Sequence, residues 1–478
     1  MHRFLPLACC AALLASACGH GDAPVSDQER AVGAEQHPQL LAQFGGAYAG
    51  EEAGYLERLG EKIAGGAGLE RQCTFTLVNS DVVNAFAVPG CYIYVTRGLM
   101  GIVNSEAELA SVLAHELGHI AGNHSERQQR RALFRGLGVV AISAITGSER
   151  LSRIAGAAAA LFTLRYSRSH EYEADDLGLT YLREAGYDPH EAVDMLAALG
   201  RHQQFLTASR GRDEASGIPE WAMTHPLTGH RMARARAAAD ESGVRPGALP
   251  DNQAAYLREL DGLLYGDDPQ QGFVMGRRFA HPVMRIAFEA PPGFTLTNSP
   301  QAILIEGPDG LQGEFAGGPL PAGGLPAYAE AVLANMLGDA PVELGAASQV
   351  VINGVPALIV PAVVRTEQGP VSLTLAAYQG SGGGAFHFAM IAKPGAPASQ
   401  AVAGLFASFR LLNAAEAASL RPRRIRTVQA RAGDTPRSLA ARMTADQPVD
   451  HFLMLNGRSA QDPLRPGELV KLIVVAPR

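Results

Sequence analysis

Residues 115–119 read His-Glu-Leu-Gly-His, and this short run limits what the chain can fold into more than any other feature. Ser105 and Glu108 ahead of it have the pattern of a capping box. Leu109, Val112, Leu113, Leu117 and Ile120 then recur at helical spacing, which predicts that the run lies inside a helix. Residues four apart share a helical face, so His115 and His119 aim both imidazoles at one point, as ligation of a single zinc ion requires. Glu116 between them is placed to act as a general base on a water at that ion rather than as a ligand. The bland alternative is a helix with two surface histidines. With 14 histidines in 478 residues, chance produces the pattern in roughly a few chains per hundred.

Two histidines do not complete a catalytic zinc site, which takes three protein ligands and leaves a position for solvent. In the HExxHxxGxxH arrangement the third ligand is a histidine. Here Gly122 is in place, but Ser125 occupies the ligand position and His124 falls one residue short. The better source is Arg168-Ser-His-Glu-Tyr-Glu-Ala-Asp175 on a second predicted helix, where Glu171 and Asp175 share one face. One carboxylate can bind metal while the other accepts an N–H from a ligand histidine and fixes its tautomer. Glu173 points elsewhere, and His170 is a rival ligand one residue off that face. Alone, such an acidic helix is usually a solvated face; beside an HExxH run the balance reverses.

HExxH, the downstream RxxExxAD and the upstream Asn84-Ala-Phe-Ala-Val-Pro-Gly-Cys-Tyr-Ile-Tyr-Val-Thr-Arg97-Gly together resemble the HtpX/BepA/CAAX-prenyl-protease family of gluzincin metallopeptidases. The resemblance covers about residues 50 to 240. It implies His115, His119 and Glu171 as zinc ligands, Glu116 as general base and Asp175 as the aspartate that orients a ligand. It also implies that Asn84, Ala85, Phe86 and Ala87 form an edge strand pairing with an extended polypeptide substrate. Cys91 stands where the family usually has glycine. A histidine before proline, as in Thr224-His225-Pro-Leu-Thr-Gly-His230-Arg231, is most often plain surface. In the BepA-like branch such a loop supplies a histidine that caps the zinc, so the resemblance implies for His225 a fourth ligand holding the enzyme latent, or an oxyanion donor. His230 reads as structural.

The resulting fold class is α+β: a mainly helical zincin-type domain with a small edge sheet over residues 46–265, then an accessory domain and a small C-terminal unit. A helix is predicted over Tyr55–Ala64, with strands over Thr74–Asn79, Asn84–Val88 and Tyr92–Thr96. The apolar run from Ala132 to Leu164 is broken by Glu149, Arg150 and Arg153. A true span would also put the next ligand across the bilayer, so it reads as helices beside the site, with membrane contact left open. Residues 266–415 carry strand-like runs at Arg285–Phe288, Ala302–Glu306, Ala357–Val364, Val371–Tyr378 and Phe386–Ala392. Helical runs at Ala327–Leu337 and Gln400–Leu411 accompany them, giving an α+β sandwich-like domain without a catalytic cluster. Residues 424–478, with Val428, Gly433, Thr435, Leu439, Leu455, Asn456 and Gly467, resemble a LysM domain of βααβ order. Thr435 is the expected N-cap and Pro436 the first helical residue. Peptidoglycan binding and a purely structural role both remain open for this unit.

The chain opens with an apolar run from Phe4 to Leu13, too short for a permanent span, which makes residues 1–18 an expected export signal. Leu14-Ala-Ser-Ala-Cys18 resembles a lipobox with Ala15 where leucine is usual, so Cys18 is a lipidation candidate; secretion after an Ala-x-Ala site is the alternative. Gly19 in place of aspartate favours outer-membrane anchoring. Residues 19–45 read as a tether. Of the five cysteines, Cys73 and Cys91 are left either as a disulfide between neighbouring strands or as two buried thiols. The composition, 47% hydrophobic and 18% charged with a formal net charge of −7, is that of a folded soluble protein and argues against nucleic-acid binding. Arg421–Arg426 reads as a solvated linker. The expectation is a periplasmic endopeptidase of the bacterial envelope, acting on polypeptides such as misfolded outer-membrane proteins. The alternative is a chaperone-like or wall-bound scaffold whose zinc is closed off by His225.

Overall fold

Two helices in unusually close contact position the histidine run. Helix α4 (Glu106–Ala121) is preceded by helices α1 (Asp27–Gln43), α2 (Glu51–Gly66) and α3 (Arg97–Ile102). It is followed by α5 (Arg168–Glu184), α6 (Glu191–Arg210) and α7 (Gly229–Glu241). The structure is a computed structural model describing residues 25–128, 166–210, 221, 224–226, 229–338, 340–366, 369–392 and 399–476. The expected export signal with Cys18 and the apolar run 132–164 lie outside these residues. Among them no helix is long and apolar enough to cross a membrane.

Every residue of α4 from Ala107 to His119 is buried, so the helix has no solvent face. Gly118 and Gly178 make the α4–α5 contact. A Cβ on Gly118 would lie 2.7 Å from the Ala174 carbonyl oxygen, and one on Gly178 would lie 3.1 Å from the His115 nitrogen. Without side chains there, the backbones approach closely enough for α5 carboxylates to reach α4 imidazoles. Ser105 caps α4 by accepting from the Glu108 N–H at 2.9 Å. The expected capping box is displaced by one residue, because Glu108 accepts from the N–H of Asn104 instead and the Ser105 hydroxyl donates to Glu191.

A three-stranded sheet lies beside α4, formed by β1 (Thr74–Val78), β2 (Ala85–Val88) and β3 (Tyr92–Thr96) in the order β1-β3-β2. Strand β1 runs parallel to β3 and β2 antiparallel to it, which leaves β2 on the edge. Cys73 and Cys91 precede the paired residues Thr74 and Tyr92 and are joined by a disulfide. Cys91 has φ of 60°, the left-handed region in which glycine is the usual occupant. The stretch expected to be a tether is largely helical. Ser26 and Glu29 form a complete capping box for α1, and Leu40, Leu41 and Phe44 pack on Val78, Phe86, Val88 and Tyr94 of the sheet. The apolar residues of that polar segment are thus buried against a neighbour that the local sequence does not reveal.

The accessory region has an antiparallel sheet whose path runs Val342–Leu344, Val355–Thr366, Gly369–Gln379, Gly384–Ala392, Gln312–Pro319, Ile303–Glu306 and Thr295–Asn298. Ser348–Ile352 also pairs with Val355–Thr366. Helix Gly324–Leu337 covers one face through Leu333, Met336 and Leu337. A second antiparallel sheet takes in Phe273–Met275, Arg278–His281, Ile286–Glu289 and Arg410–Leu411. The helix expected over Gln400–Leu411 therefore ends at Ala407, and its last residues join a strand edge.

The C-terminal residues follow a βααβ order through Arg423–Gln429, Pro436–Ala440, Pro448–Leu455 and Leu469–Val475. Thr435 caps the first of these helices, with Pro436 at its start. The arginine run is not a solvated linker. It enters the first strand, where Ile425 is fully buried, Arg424 donates to the Gly262 carbonyl and Arg426 pairs with Asp261. That strand also pairs with Leu264–Tyr265. Ile425, Met454, Leu455 and Ile473 belong to the same hydrophobic core as α2 and α4. The ammonium of Lys471, fully buried, donates to the carbonyls of Gly101 and Val103 at the end of α3. The unit is thus packed into the helical domain.

Candidate metal centre

Ligand atoms of His115, His119, Glu171 and His225 all lie within 4.8 Å of one another, and each residue is buried. The Nε2 atoms of His115 and His119 are 3.1 Å apart. Glu171 Oε1 is 3.5 Å from Nε2 of His119. His225 presents Nδ1, 3.3 Å from Nε2 of His115 and 3.2 Å from Glu171 Oε1. A tetrahedral zinc bonded at about 2.1 Å separates its ligand atoms by about 3.4 Å, so the donor set and its spacing fit such an ion. Among the described residues no other group of this kind occurs.

The supporting contacts account for the second carboxylate. Asp175 Oδ1 lies 3.0 Å from Nδ1 of His115, which leaves Nε2 of that ring for a metal. Motif spacing assigns no role to Arg231, yet this residue holds the carboxylates in place. Its side chain is 2% exposed. Nη1 stands 2.8 Å from Glu171, and Nε and Nη2 donate to the two oxygens of Asp175 at 2.9 and 2.7 Å. Burial raises the Asp175 carboxyl, but His115 and Arg231 together hold it well below the usual range. Burial likewise raises Glu171, and His225 with Arg231 brings it below its ordinary value. One physical signal was available: two carboxylates buried on one helix face require a cation, and Arg231 is the arginine of the His-Pro segment.

Glu116 is fully buried, and neither of its oxygens accepts a hydrogen bond among the described residues. Burial pushes its carboxyl upward, opposed by His225 and His115. Its nearest basic neighbour is Nε2 of His225, at 3.6 Å from Oε1. His225 therefore faces the ligand cluster with one ring nitrogen and Glu116 with the other. Its ring is stacked on Trp221, with centroids 4.5 Å apart. Burial lowers the His225 imidazole, but Glu171 and Glu116 outweigh it and raise the group above its ordinary value.

The neighbouring residue Thr224 donates to the Asn84 side-chain carbonyl at 3.4 Å, which places the His-Pro loop against the start of β2. Ala85, Phe86 and Ala87 follow, with buried side chains on a strand whose sheet neighbour among the described residues is β3. His230 is exposed and bonds Tyr172, away from the cluster. His170 also stands apart from the ligand atoms, its ring stacked on that of His124.

Residues 51–239 match the family described as Peptidase family M48. The match supports a zincin-type metallopeptidase over this segment. The chain is 30% identical over 252 residues to the "Beta-barrel assembly-enhancing protease" of Yersinia pestis, covering 51% of this chain and 50% of that protein. It is 36% identical over 127 residues to the "Mitochondrial metalloendopeptidase OMA1" of Arabidopsis thaliana, covering 26% of this chain and 25% of that one. The chain thus spans about half the length, or less, of the curated relatives it matches. Together the matches support a zinc metalloendopeptidase. The solution structure of PsbP from Synechocystis sp. PCC 6803 aligns with 30% of this chain and 98% of that one at 14% identity; its TM-score of 0.23 carries no argument.

Proposed function

We propose that this chain is a zinc-dependent endopeptidase of the bacterial envelope that hydrolyses polypeptides, with His115, His119 and Glu171 holding the metal and Glu116 acting as general base. The single observation that carries this reading is the convergence of two α4 imidazoles with an α5 carboxylate, beside a buried carboxylate that accepts no hydrogen bond among the described residues. A zinc ion bound there supplies Lewis acidity and brings the acidity of solvent toward neutral pH. Glu116 takes the proton of the attacking water and returns it to the leaving amine. Asp175 keeps His115 in its ligating tautomer, and Arg231 keeps Glu171 and Asp175 ionised in a buried site. Asn84 and the β2 residues Ala85, Phe86 and Ala87 receive the substrate backbone by strand addition. Removal of zinc by a chelator abolishes digestion of an unfolded protein such as casein, and zinc restores it; hydrolysis unaffected by chelator contradicts the reading.

The name of the Yersinia relative supports substrates among outer-membrane β-barrel proteins. In the same reading Cys18 carries a lipid anchor at the outer membrane and the C-terminal βααβ unit binds peptidoglycan. Mass spectrometry of the mature N-terminus and pull-down with purified cell wall test these two points.

A second reading rests on His225. Its Nδ1 stands with the ligand atoms, in the position solvent needs, and its Nε2 faces Glu116. With that histidine in place the protein is latent, and it serves as a scaffold until the loop moves. An ionisable base buried at Glu116 favours the enzyme over a permanent scaffold, because binding alone does not require it. Casein digestion by His225→Ala beside the unaltered protein separates the two: a more active variant supports latency, and an inactive pair supports the scaffold.

A further inference from the structure

The two ligand histidines of α4 are supported differently. His115 meets a carboxylate directly through Asp175. His119 instead meets a second imidazole, its Nδ1 lying 2.9 Å from Nδ1 of His124. The His124 ring is fully buried, and its Nε2 faces Oε2 of Glu173 at 3.3 Å. Glu173 is held from outside by Arg127, which donates to both carboxylate oxygens at 3.0 and 2.8 Å and to the Gly122 carbonyl at 3.0 Å. Sequence spacing made His124 a failed third ligand and turned Glu173 away from the site; the fold joins the two behind His119.

We propose that His124 and Glu173 form a relay that holds His119 in the tautomer and orientation metal ligation requires, and that Gly122 is glycine to leave room for the His124 ring. The proposal rests on the metal-site reading above.

The tautomers follow from the geometry. If His119 ligates through Nε2, the atom facing His115, its proton sits on Nδ1 and must be donated. The acceptor is then Nδ1 of His124, so His124 is neutral and carries its own proton on Nε2, the atom 3.3 Å from Oε2 of Glu173. Each ring has one consistent assignment, and the chain ends on a carboxylate. The His170 ring lies flat on His124, with centroids 4.5 Å apart and planes 7° apart, and restricts the plane of the relay ring. A Cβ on Gly122 would stand 2.4 Å from Nε2 of His124 and 2.8 Å from its Cδ2. Gly122 has φ of −73°, which any residue adopts, so clearance for this ring and not backbone conformation is what excludes a side chain. His124 and Glu173 touch no reacting atom and are positioning residues.

The test measures zinc dissociation constants by competition with a chromogenic chelator, together with thermal melting of the zinc-free proteins. His124→Leu removes the acceptor, and Gly122→Ala pushes the ring away. Both are expected to weaken zinc binding by roughly 10–100-fold. His124→Asn keeps an oxygen near the position of Nδ1 and is expected to retain most of the affinity, while Glu173→Gln, at a half-exposed site, loses less than His124→Leu. Affinity should follow the presence of the acceptor and not the melting temperature of the zinc-free form. The proposal is overturned if His124→Leu binds zinc as tightly as the unaltered protein. It is equally overturned if His124→Asn falls as far as His124→Leu, since the ring would then matter only as packing. Failure of the unaltered protein and of His115→Ala alike to bind zinc would identify the metal reading itself as the error, and the relay would fall with it.

Discussion

Glu171 Oε1 stands 3.5 Å from Nε2 of His119, brought there from a separate helix that packs on α4 through Gly118 and Gly178. The contact brings a carboxylate to two adjacent imidazoles, a set that could hold a metal ion. It depends on close backbone approach more than on any side chain, because a Cβ at either glycine would press α5 away.

In the proposed reading Glu116 bears the chemistry without holding the metal. Glu116→Gln preserves shape and removes the base, so peptide hydrolysis should fall by about 10²–10⁴-fold. Zinc content by elemental analysis should be unchanged. Full activity in that variant would dismiss Glu116 as the base.

Arg231 neutralises a buried pair of carboxylates. Arg231→Met leaves Glu171 and Asp175 uncompensated and should cost about 3–5 kcal/mol in denaturant unfolding of the zinc-free protein. Arg231→Lys should recover only part of this, since an ammonium cannot reproduce the forked contact. An unchanged unfolding midpoint for Arg231→Met would show that the carboxylates need no cation.

His225 faces both the ligand cluster and the base. His225→Ala should retain zinc through the remaining ligands and hydrolyse casein faster than the unaltered protein. A variant that loses zinc, or loses activity, would make His225 a required ligand or an oxyanion donor instead.

His451 seats the C-terminal unit on the helical domain, its Nε2 lying 2.6 Å from the Tyr265 hydroxyl and its ring against Phe205. Burial, and then Arg423, pushes its imidazole down to about 4, against a smaller opposing pull from Asp446. The folded value lies below the unfolded one. Between the ordinary histidine value and about 4 the unfolded chain therefore takes up a proton that the folded chain refuses. The His451 contribution is intact above the ordinary value and is lost as pH falls, a difference on the order of 3 kcal/mol. Urea midpoints near neutrality and at about pH 4.5 should differ less in His451→Gln than in the unaltered protein. Equal acid sensitivity in both would remove His451 from the account.

Much of this was legible in the sequence because it is local. Helix α4 follows from the Ser105 cap and an apolar periodicity, and β3 from an alternating run between a Pro-Gly turn and a helix start. The face shared by Glu171 and Asp175 follows from helical spacing alone. What could not be read was set by distant neighbours. The polar segment that becomes α1 is ordered by packing on Phe86 and Tyr94. The arginine run is a strand because Ile425 enters a core built mainly by the helical domain. Arg231 and His124 were invisible as partners because spacing shows which residues share a face but not what a second helix brings to it. Gly122 was noticed for a pattern it does not serve, since its space is taken by an imidazole two residues later.

The proposed chemistry needs one ion held by residues from α4 and α5, and anomalous scattering at the zinc absorption edge from crystals of the zinc-loaded protein locates it. The predicted result is a single strong peak bonded to Nε2 of His115, Nε2 of His119 and the carboxylate of Glu171. A peak elsewhere, or none at these atoms, would contradict it.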